Sequence, residues 1–286
     1  MTRLSVVVPA YNNADYIAAT MDSILEQDYD DFELIVSDHS STDGTVAVLA
    51  RYTADPRVTL ISTEAGGGAQ RNWQRVTDAA TGELLKLVCG DDLLYPGALR
   101  SQVEAFDRSP DAVLVASRRD ILDAVGSPFI AARGLDGLEG EHDGAEAVRR
   151  SVRGGTNLLG EPACVTFRRS ALVASGGWDG RDGYLIDQAS YAAVLLAPGA
   201  TMVGLAGPHA GFRVNSGQWS VALAADQSRQ ARRFHRRVRQ EHPGVVSGAD
   251  VAIGDVRATV LSLARRAVYI VFASRLRPPV PQATTE

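Results

Sequence analysis

Five apolar runs at regular spacing are the feature that most constrains the fold of this chain. They begin at Leu4, Phe32, Val58, Leu84 and Ala112, so their starts lie roughly 26 to 28 residues apart, which is about the length of a compact strand–helix unit. The runs are apolar throughout, which is typical of strands covered on both faces of a sheet. The sequence therefore predicts an α/β protein with a Rossmann-like, mostly parallel central sheet and helices on both faces.

Helical patterns separate these runs. In the first, Ile17, Met21, Ile24 and Leu25 share one face of a helix. The others are predicted from Val46 to Ala50, after cap-forming Ser41 and Thr42, then from Gln70 to Ala80 and from Pro96 to Phe106.

The regular pattern weakens after about residue 120. Irregular connections are expected up to residue 160, with one helix near Ala145–Val152 and then a strand at Val165–Phe167. The stretch Gln188–Phe212 predicts a helix, a turn and a short strand, and residues 218–286 predict a helical extension.

Composition excludes several classes of protein. The 286 residues carry 29 Lys and Arg against 34 Asp and Glu, a net charge of −5, which argues against nucleic acid as a partner. The two cysteines, Cys89 and Cys164, have no metal-ligand spacing, so a disulfide scaffold and a structural zinc site are not expected. The first apolar run ends at Pro9, too early for a signal peptide. No segment is predicted to span a bilayer, and the expected location is the cytoplasm.

Unusual residues cluster where the predicted strands end. The first strand ends in Pro9-Ala10-Tyr11, the second at Asp38 and the fourth at Asp91-Asp92. Ligands of open α/β sheets bind at this edge, and carboxylate oxygens suit Mg²⁺ or Mn²⁺. From the residues alone, the alternative is that Asp91-Asp92 only caps a turn.

A glycine run, Gly66-Gly67-Gly68, precedes the third helix and could approach phosphate oxygens. It lacks the lysine of a P-loop, and no segment has the dinucleotide-binding glycine pattern. A nicotinamide-dependent dehydrogenase is therefore disfavoured.

Eight segments follow one another between about residues 3 and 220: LSVVVPAYNNADYI, FELIVSDHSSTDGT, Ala69–Asn72, TGELLKLVCGDDLLYPGAL, Gly160-Glu161-Pro162, Gly176-Gly177-Trp178-Asp179, Ile186-Asp187 and Phe212-Arg213-Val214. In this order they resemble the signature segments of the family 2 inverting glycosyltransferases with the GT-A fold. Single segments are moderately specific, and the ordered set is much more so.

The resemblance implies a nucleotide site at the ends of the first two strands. Pro9, Ala10 and Tyr11 would line the base, Asp38 would read it, and Arg71 would approach the nucleotide or diphosphate. A second acid often follows the position of Asp38, whereas this chain has His39. Uracil, thymine and guanine nucleotides therefore all stay open.

The family's metal motif is usually Asp-x-Asp, but Cys89 stands where the first acid is common. The resemblance then implies that Asp92 binds Mn²⁺ or Mg²⁺ and that Asp91 contacts the ribose or shares in holding the metal through its water shell. Cys89 itself is interpreted as a small core residue.

An inverting transfer requires a base on a segment other than the metal motif. Asp187 fits that position, with Asp182 in reserve and Asp179 as a turn residue. The structural alternative is that Asp187 is only the N-cap of the helix that follows.

A late arginine, Arg213, matches one that closes on the diphosphate, and residues 215–219 would form a mobile lid. Trp178 and Trp219 could stack on sugars, although a core role for Trp178 stays open. His209 is interpreted as structural.

The C-terminal part joins an arginine-rich run, Arg229–Gln240, to an apolar stretch, Val256–Ala273. The simpler interpretation is a solvated helix face. The alternative is contact with an anionic membrane or with a lipid-diphosphate acceptor through residues 229–273.

The sequence thus predicts a metal-dependent inverting glycosyltransferase that moves a sugar from a nucleoside-diphosphate sugar to an acceptor hydroxyl. The acceptor would be a glycan, a lipid-linked glycan or a natural product.

Residues 1–117 would bind the donor, 118–220 would bind the acceptor and carry the base, and 221–286 would form the helical extension. A nucleotidyltransferase is the enzyme alternative, although no basic glycine-rich loop follows the first strand. A nucleotide-sugar-binding scaffold without catalysis is the other. The sugar, the acceptor and the oligomeric state stay open.

Overall fold

A computed structural model describes residues 2–215, 226–271 and 275–276. Its strands form one mixed sheet in the order β3-β2-β1-β4-β9-β6-β10-β5, with β7 paired to β6 and β8 to β10. The strands are β1 (Leu4–Ala10), β2 (Phe32–Asp38), β3 (Val58–Ser62), β4 (Leu84–Leu87), β5 (Leu93–Leu94), β6 (Ala112–Leu122), β7 (Pro128–Arg133), β8 (Gly140–Asp143), β9 (Val165–Arg168) and β10 (Thr201–Arg213). The helices are α1 (Ile17–Leu25), α2 (Thr45–Leu49), α3 (Gly68–Asp78), α4 (Ala98–Arg108), α5 (Gly144–Gly154), α6 (Arg169–Ala174), α7 (Ile186–Leu195), α8 (Gln227–Glu241) and α9 (Gly248–Val271).

The first four long strands are parallel. The pairs β1–β2, β2–β3 and β1–β4 all run in the same direction, and Ala10 lies opposite Asp38 at the end of the first pair. Every residue of β1 is buried, as expected for a strand covered on both faces. The predicted strand–helix repeat is therefore confirmed, and it brings the predicted strand ends to one edge.

The second half of the sheet is mixed. Strand β9 runs antiparallel to both β4 and β6, whereas β10 is parallel to β6 and antiparallel to β5 and β8. The mostly parallel character of the sheet thus belongs to the half formed by β1, β2, β3 and β4.

Three local predictions are wrong. Residues 120–160 contain the strands β7 and β8 as well as the predicted helix, and β10 is a 13-residue strand that continues through Pro208. Its register against β6 shifts around Pro208, which lets a residue without an amide N–H stay in the strand. Helix α2 begins after Gly44 without a side-chain cap, since the Ser41 hydroxyl instead accepts the Asn12 amide at 2.9 Å.

A single main core runs through the molecule. It contains buried side chains from all three predicted segments, such as Leu4, Val165 and Ala258. The division at residues 117 and 220 therefore describes expected roles and stays a prediction. The only lysine, Lys86 in β4, is inside this core, where its ammonium donates to the Gln102 side chain at 2.9 Å and the Ala163 carbonyl at 2.6 Å.

Helices α8 and α9 form an antiparallel hairpin, which confirms the predicted helical extension. His235 contacts Asp255 at 2.8 Å, and the Arg265 Nε donates to the Gln227 side chain at 2.8 Å. The hairpin packs on α5 through close contact at Gly254, where a Cβ atom would lie 2.1 Å from the Val152 carbonyl oxygen. No described helix has both the length and the apolar character needed to cross a membrane.

Candidate active site

Asp38 and Tyr11 lie side by side at the joined ends of β1 and β2. The Tyr11 side chain is 57% exposed, so its ring is available to a ligand. One Asp38 oxygen accepts the Ser41 amide at 3.1 Å, and the other is buried without a hydrogen-bond partner among the described residues. A buried acceptor without a donor is costly. The arrangement therefore offers a stacking surface and one free acceptor.

His39, which replaces the second acid of the family pattern, has a local partner. Its Nε2 lies 2.9 Å from the Gly66 carbonyl oxygen, and its ring centroid lies 5.9 Å from that of Tyr11. His39 thus connects the glycine loop to the end of β2. Gly66, Gly67 and Gly68 all have positive φ, a conformation that favours glycine.

Asn72 is a site residue that the sequence reasoning missed. Its amide nitrogen donates to the carbonyls of Ala10 and Ser37, each at 3.3 Å, and its oxygen accepts from the Thr63 hydroxyl at 3.0 Å. This buried side chain therefore joins the ends of β1, β2 and β3. The sequence signal that could have indicated this buried role is a polar residue, Asn72, on the same face of helix α3 as apolar Val76.

Arg71 lies at the surface, at the start of α3. Its guanidinium contacts Glu64 at 3.2 Å and the Ala65 carbonyl at 3.3 Å. It also lines a surface depression of about 720 Å³ that includes none of Asp38, Asp91, Asp92 and Asp187. Its contact with a nucleotide stays a prediction.

Asp91 and Asp92 follow β4 and are both buried. One Asp92 oxygen accepts the Arg213 backbone amide at 3.0 Å, and an Asp91 oxygen accepts the Asn215 side-chain amide at 3.1 Å. The approach of this turn to α1 is close, because a Cβ atom on Gly90 would lie 2.7 Å from the Asn13 side-chain oxygen. The acid pair is thus held by two hydrogen bonds from residues at and just after the end of β10, and its turn packs closely against the segment that follows β1.

The second oxygen of Asp92 is buried and has no hydrogen-bond partner among the described residues. Burial raises the pKa of Asp91 to about 6, and burial together with the Asp91 charge raises the pKa of Asp92 well above its usual range. A cation would relieve both effects.

The described residues contain no group of three or more His, Cys, Asp and Glu side chains arranged to hold a metal by themselves. One or two carboxylates are, however, the usual protein share of a Mg²⁺ or Mn²⁺ site that phosphate oxygens complete. The residues present therefore fit a metal that binds together with a diphosphate.

Arg213, at the end of β10, is buried in this structure. Its side chain donates to the Asp91 carbonyl at 2.8 Å and to the Ala124 carbonyl at 3.0 Å, and it lies 5.0 Å from the centre of the Tyr16 ring. These contacts fix the backbone of the turn that carries Asp91 and Asp92. The predicted contact of Arg213 with a diphosphate is not among them and stays a prediction.

Asp187 is the second residue of α7, and Leu185 occupies the N-cap position without a side-chain cap. The N-cap alternative is therefore wrong. The Asp187 carboxylate accepts the Asn157 side-chain amide at 2.8 Å and the Gln188 backbone amide at 2.7 Å. Burial and the nearby charge of Glu161 raise its pKa to about 7, yet its side chain is still partly open to solvent.

The reserve candidate, Asp182, is buried in an ion pair with Arg237. Asp179 accepts the Arg181 backbone amide at 2.9 Å and pairs with the Arg181 side chain at 2.8 Å. Of these three acids, Asp187 is the one that forms no ion pair with an arginine among the described residues.

Two further charged residues lie next to Asp187. Arg119 of β6 is 3% exposed, and its Nε and Nη2 lie 2.5 and 3.1 Å from the two oxygens of Glu161. Glu161 acts on the pKa of Asp187, as does Arg119 in the opposite direction. Sequence reasoning quoted Glu161 only within a signature segment, because its partner lies 42 residues earlier.

The aromatic and lid predictions have mixed outcomes. Trp178 is a core residue and does not stack on a sugar, since it is 2% exposed and donates to the Thr77 hydroxyl at 2.8 Å. Trp219 and lid residues 216–219 lie outside the described residues.

His209 is half-buried in β10, and burial lowers its pKa. Cys89 is half-buried against the main core, as expected for a packing residue.

Curated relatives match parts of the chain. An uncharacterized protein of Mycobacterium tuberculosis (strain CDC 1551 / Oshkosh), MT1568, is 33% identical over 180 residues, which cover 61% of this chain and 56% of that protein. The putative glycosyltransferase EpsE of Bacillus subtilis (strain 168) is 30% identical over 126 residues, or 43% of this chain and 45% of EpsE. The chain spans about half the length of these two relatives.

Solved structures share the fold. Staphylococcus aureus TarS 1–349 in complex with UDP-GlcNAc superposes with a TM-score of 0.65 at 18% identity, covering 93% of this chain and 73% of that one. The mannosyltransferase PcManGT from Pyrobaculum calidifontis, in complex with GDP-Man and Mn²⁺, gives a TM-score of 0.61 at 17% identity, covering 94% and 80%. These likenesses confirm the predicted GT-A fold. The family model described as glycosyl transferase family 2 matches residues 5–174, more than half of the chain, and the protein therefore belongs to glycosyl transferase family 2.

Proposed function

We propose that this protein is a metal-dependent, inverting glycosyltransferase that moves a sugar from a nucleoside-diphosphate sugar to an acceptor hydroxyl. The observation that carries the proposal is the separation of two kinds of acid. Asp91 and Asp92 are buried at the donor edge with one free oxygen. Asp187, on a different element, is partly open and has a pKa of about 7, the range suited to a general base.

The reaction would be one in-line displacement at the anomeric carbon. Asp187 would take the proton of the acceptor hydroxyl, and Asn157 would hold the carboxylate in position through its 2.8 Å hydrogen bond. A divalent ion, when bound by Asp92 and shared by Asp91, would neutralise charge on the leaving diphosphate. Inversion follows from a single displacement by the acceptor oxygen.

The donor base would stack on Tyr11 and donate a ring N–H to the free oxygen of Asp38. Uracil, thymine and guanine each offer such a donor, so UDP, dTDP and GDP all fit. Pro9 and Ala10 would form the floor of this pocket, where β1 and β2 are paired. TarS with UDP-GlcNAc and PcManGT with GDP-Man illustrate two of these nucleotides on the same fold.

A thermal-shift panel of UDP, dTDP and GDP, each with Mn²⁺ and each with a chelator, tests the donor site. One nucleotide is expected to raise the melting temperature only when Mn²⁺ is present. Asp92→Ala should remove most of that shift, whereas Asp111→Ala, which changes an exposed acid, should keep it. Equal and negligible shifts for all three nucleotides would contradict the proposal.

Turnover distinguishes an enzyme from a binding scaffold. Release of the nucleoside diphosphate from the matching nucleotide sugar is expected when acceptors are supplied, and NMR of the product should show the inverted anomeric configuration. Tight binding of the donor without release under any condition would favour the scaffold. Transfer of a nucleotidyl group to a sugar phosphate would favour a nucleotidyltransferase.

The α8–α9 hairpin supports a further part of the proposal, contact with an anionic membrane surface. On α9, Val256, Val260, Leu263 and Ile270 are 65%, 58%, 59% and 78% exposed. On α8, Arg229, Arg233, Arg236 and Arg239 are exposed. An apolar stripe beside a basic one is the pattern of a helix pair that lies on a membrane.

Both stripes lie on the same side of the hairpin. His235 and Asp255 mark where the two helices face each other. The next residues, Arg236 and Val256, are each turned by about 100° from that contact. Because the helices are antiparallel, the two rotations lead to the same side.

Co-sedimentation with vesicles at low salt tests this contact. Phosphatidylglycerol vesicles should carry the protein down and phosphatidylcholine vesicles should not, since each arginine near an anionic surface contributes about 1 kcal/mol. Arg233→Glu combined with Arg236→Glu should abolish the binding. Equal sedimentation with both lipids, or none with either, would contradict it.

A further inference from the structure

Two arginines, Arg133 and Arg265, lie near the Arg119–Glu161 pair that adjoins Asp187. Arg133 at the end of β7 and Arg265 in α9 are both half-buried. Neither forms an ion pair within residues 2–215, 226–271 and 275–276. Outside those ranges the only acidic side chain of the sequence is that of Glu286. A half-buried guanidinium without a salt-bridged counter-charge is costly, which suggests that a ligand supplies the charge.

Arg133 is connected to the base through the sheet. It lies opposite Arg119 in the β6–β7 pair, and the Arg119 side chain donates to the Arg133 carbonyl at 3.3 Å. Arg119 in turn binds Glu161, the neighbour of Asp187. Glu161 is therefore salt-bridged to Arg119, and its charge acts on Arg133 without a salt bridge between the two.

Arg265 approaches Arg133 and Glu161 from the C-terminal helix α9. One turn after it, Tyr269 packs against the small core formed by Ile121, Val214 and Leu276, and Val214 follows the Arg213 that braces Asp91 and Asp92. The only hydrogen bond of the Arg265 side chain among described residues goes to a neutral group, the Gln227 amide oxygen at 2.8 Å. Its charge is thus also left without an acid.

The electrostatic effects on neighbouring groups agree with this placement. Burial, and then the charges of Arg119 and Arg265, lower the pKa of Arg133, and the charges of Glu161 and Asp136 offset this only in part. Tyr184 is influenced by both Arg265 and Asp187, although burial dominates and raises its pKa to about 12. Arg133 and Arg265 therefore lie near each other, and Tyr184 lies near both Arg265 and Asp187.

We propose that Arg133 and Arg265 form an acceptor subsite for an anionic group. The group would be a phosphate or carboxylate of the acceptor, held next to the hydroxyl that Asp187 deprotonates. Guanidinium groups match both anions through two parallel N–H donors. This inference rests on the proposed glycosyl transfer and narrows its acceptor to an anionic molecule.

The test measures binding of inorganic phosphate to metal-free protein by ³¹P NMR line broadening, with D-glucuronate titrated in parallel as the carboxylate probe. Both titrations are repeated with the nucleoside diphosphate that the thermal-shift panel selects. Arg133→Gln and Arg265→Gln are compared with Arg257→Gln, which changes an exposed arginine of the same helix α9. The tighter of the two probes identifies the acceptor's anion.

The expected result is that anion binding persists when the nucleotide is bound and weakens at least about threefold in Arg133→Gln and in Arg265→Gln. Arg257→Gln should bind like the original protein. Unchanged binding in both site variants would overturn the subsite. Complete displacement by the nucleotide would overturn it as well, because the two arginines would then serve the donor diphosphate.

The titrations with the nucleoside diphosphate distinguish a failure of the anion subsite from a failure of the proposed glycosyl transfer. If no nucleoside diphosphate binds while phosphate binding still depends on Arg133 and Arg265, the anion site stands and glycosyl transfer fails. Circular dichroism of each variant checks that the fold is kept, so that a loss of binding reports on the subsite itself.

Discussion

The proposed donor edge and the proposed acceptor side of this protein are built in different ways. At the proposed donor edge, Tyr11, Asp38 and Asp91-Asp92 each lie at or shortly after the end of a buried parallel strand, and the sheet brings them together. On the proposed acceptor side, Asp187 lies near Arg119 and Glu161, and the arginines of the proposed anion subsite come from β7 and α9, so these residues are separated by up to 146 positions between Arg119 and Arg265. The donor edge therefore depends on local sequence, and the acceptor side depends on tertiary packing.

The largest expected effect tests whether the two sides have separate tasks. Asp187→Asn keeps the shape of the side chain but removes the base, so turnover should fall by about 10²–10⁴-fold. Donor affinity should stay within about twofold, because no donor-edge residue changes. Steady-state kinetics and the thermal-shift panel measure the two effects. Normal turnover of Asp187→Asn would mean that the base assignment is wrong.

A second variant changes only the packing that the acceptor side needs. A side chain at Gly254 would collide with the Val152 carbonyl, since even a Cβ atom would lie at 2.1 Å. Gly254→Val should lower the free energy of unfolding by about 1–3 kcal/mol, measured by urea denaturation. Ala252→Val, at an exposed position of the same helix, should have little effect. If Gly254→Val weakens donor binding as strongly as it weakens the fold, the two sides are less independent than proposed.

The pH dependence should be determined by the acceptor side. Because Asp187 has to be deprotonated and its pKa is about 7, kcat/KM should rise about tenfold per pH unit below that value and level off above it. A profile that is flat between pH 5 and pH 8 would contradict this role.

The stability of the fold should change with pH in the direction opposite to kcat/KM, so that it decreases as the pH rises. The folded-state pKa of Asp187 is raised above the unfolded value of about 3.9. The stabilisation from the protonated carboxyl is therefore fully present below the unfolded pKa of about 3.9. It is lost as the pH rises through the folded pKa of about 7. Asp187→Asn should consequently melt at a higher temperature than the original protein at pH 8 and at a similar temperature at pH 4.

The smallest expected effect concerns the donor edge alone. Tyr11 is 57% exposed, so Tyr11→Ala should leave stability nearly unchanged. Loss of stacking should weaken nucleotide binding by about 0.5–1.5 kcal/mol, or roughly 2- to 12-fold. Tyr11→Phe should restore binding, as titration calorimetry can show. An Ala variant with full affinity would remove Tyr11 from the proposed base pocket.

The same contrast explains what the sequence could predict. Apolar runs such as LSVVVP reveal β1 because every one of its residues is buried. Strand β8, with the sequence GEHD, is largely exposed and charged, so it has no apolar pattern to detect. The length of β10 was hidden by Gly204, Gly207 and Pro208, which usually indicate turns.

The site divides in a similar way. Asp38 and Asp91-Asp92 could be located from their position after strands, and Asp187 from its family segment. The ion pair of Glu161 with Arg119 and the contacts of Asn72 could not be predicted, because each joins residues far apart in the chain. Arg213 could be named but not placed, since its burial depends on how β10 meets the turn after β4.

The bond from the Arg213 backbone amide to Asp92 has a practical consequence. This amide proton points at the carboxylate that is proposed to bind the metal, and it belongs to the last residue of a long strand. Its NMR resonance and its rate of exchange with solvent deuterium will change when a cation takes electron density from Asp92. Arg213 thus provides a built-in spectroscopic reporter of donor-site occupancy, which needs neither a labelled sugar nor a known acceptor.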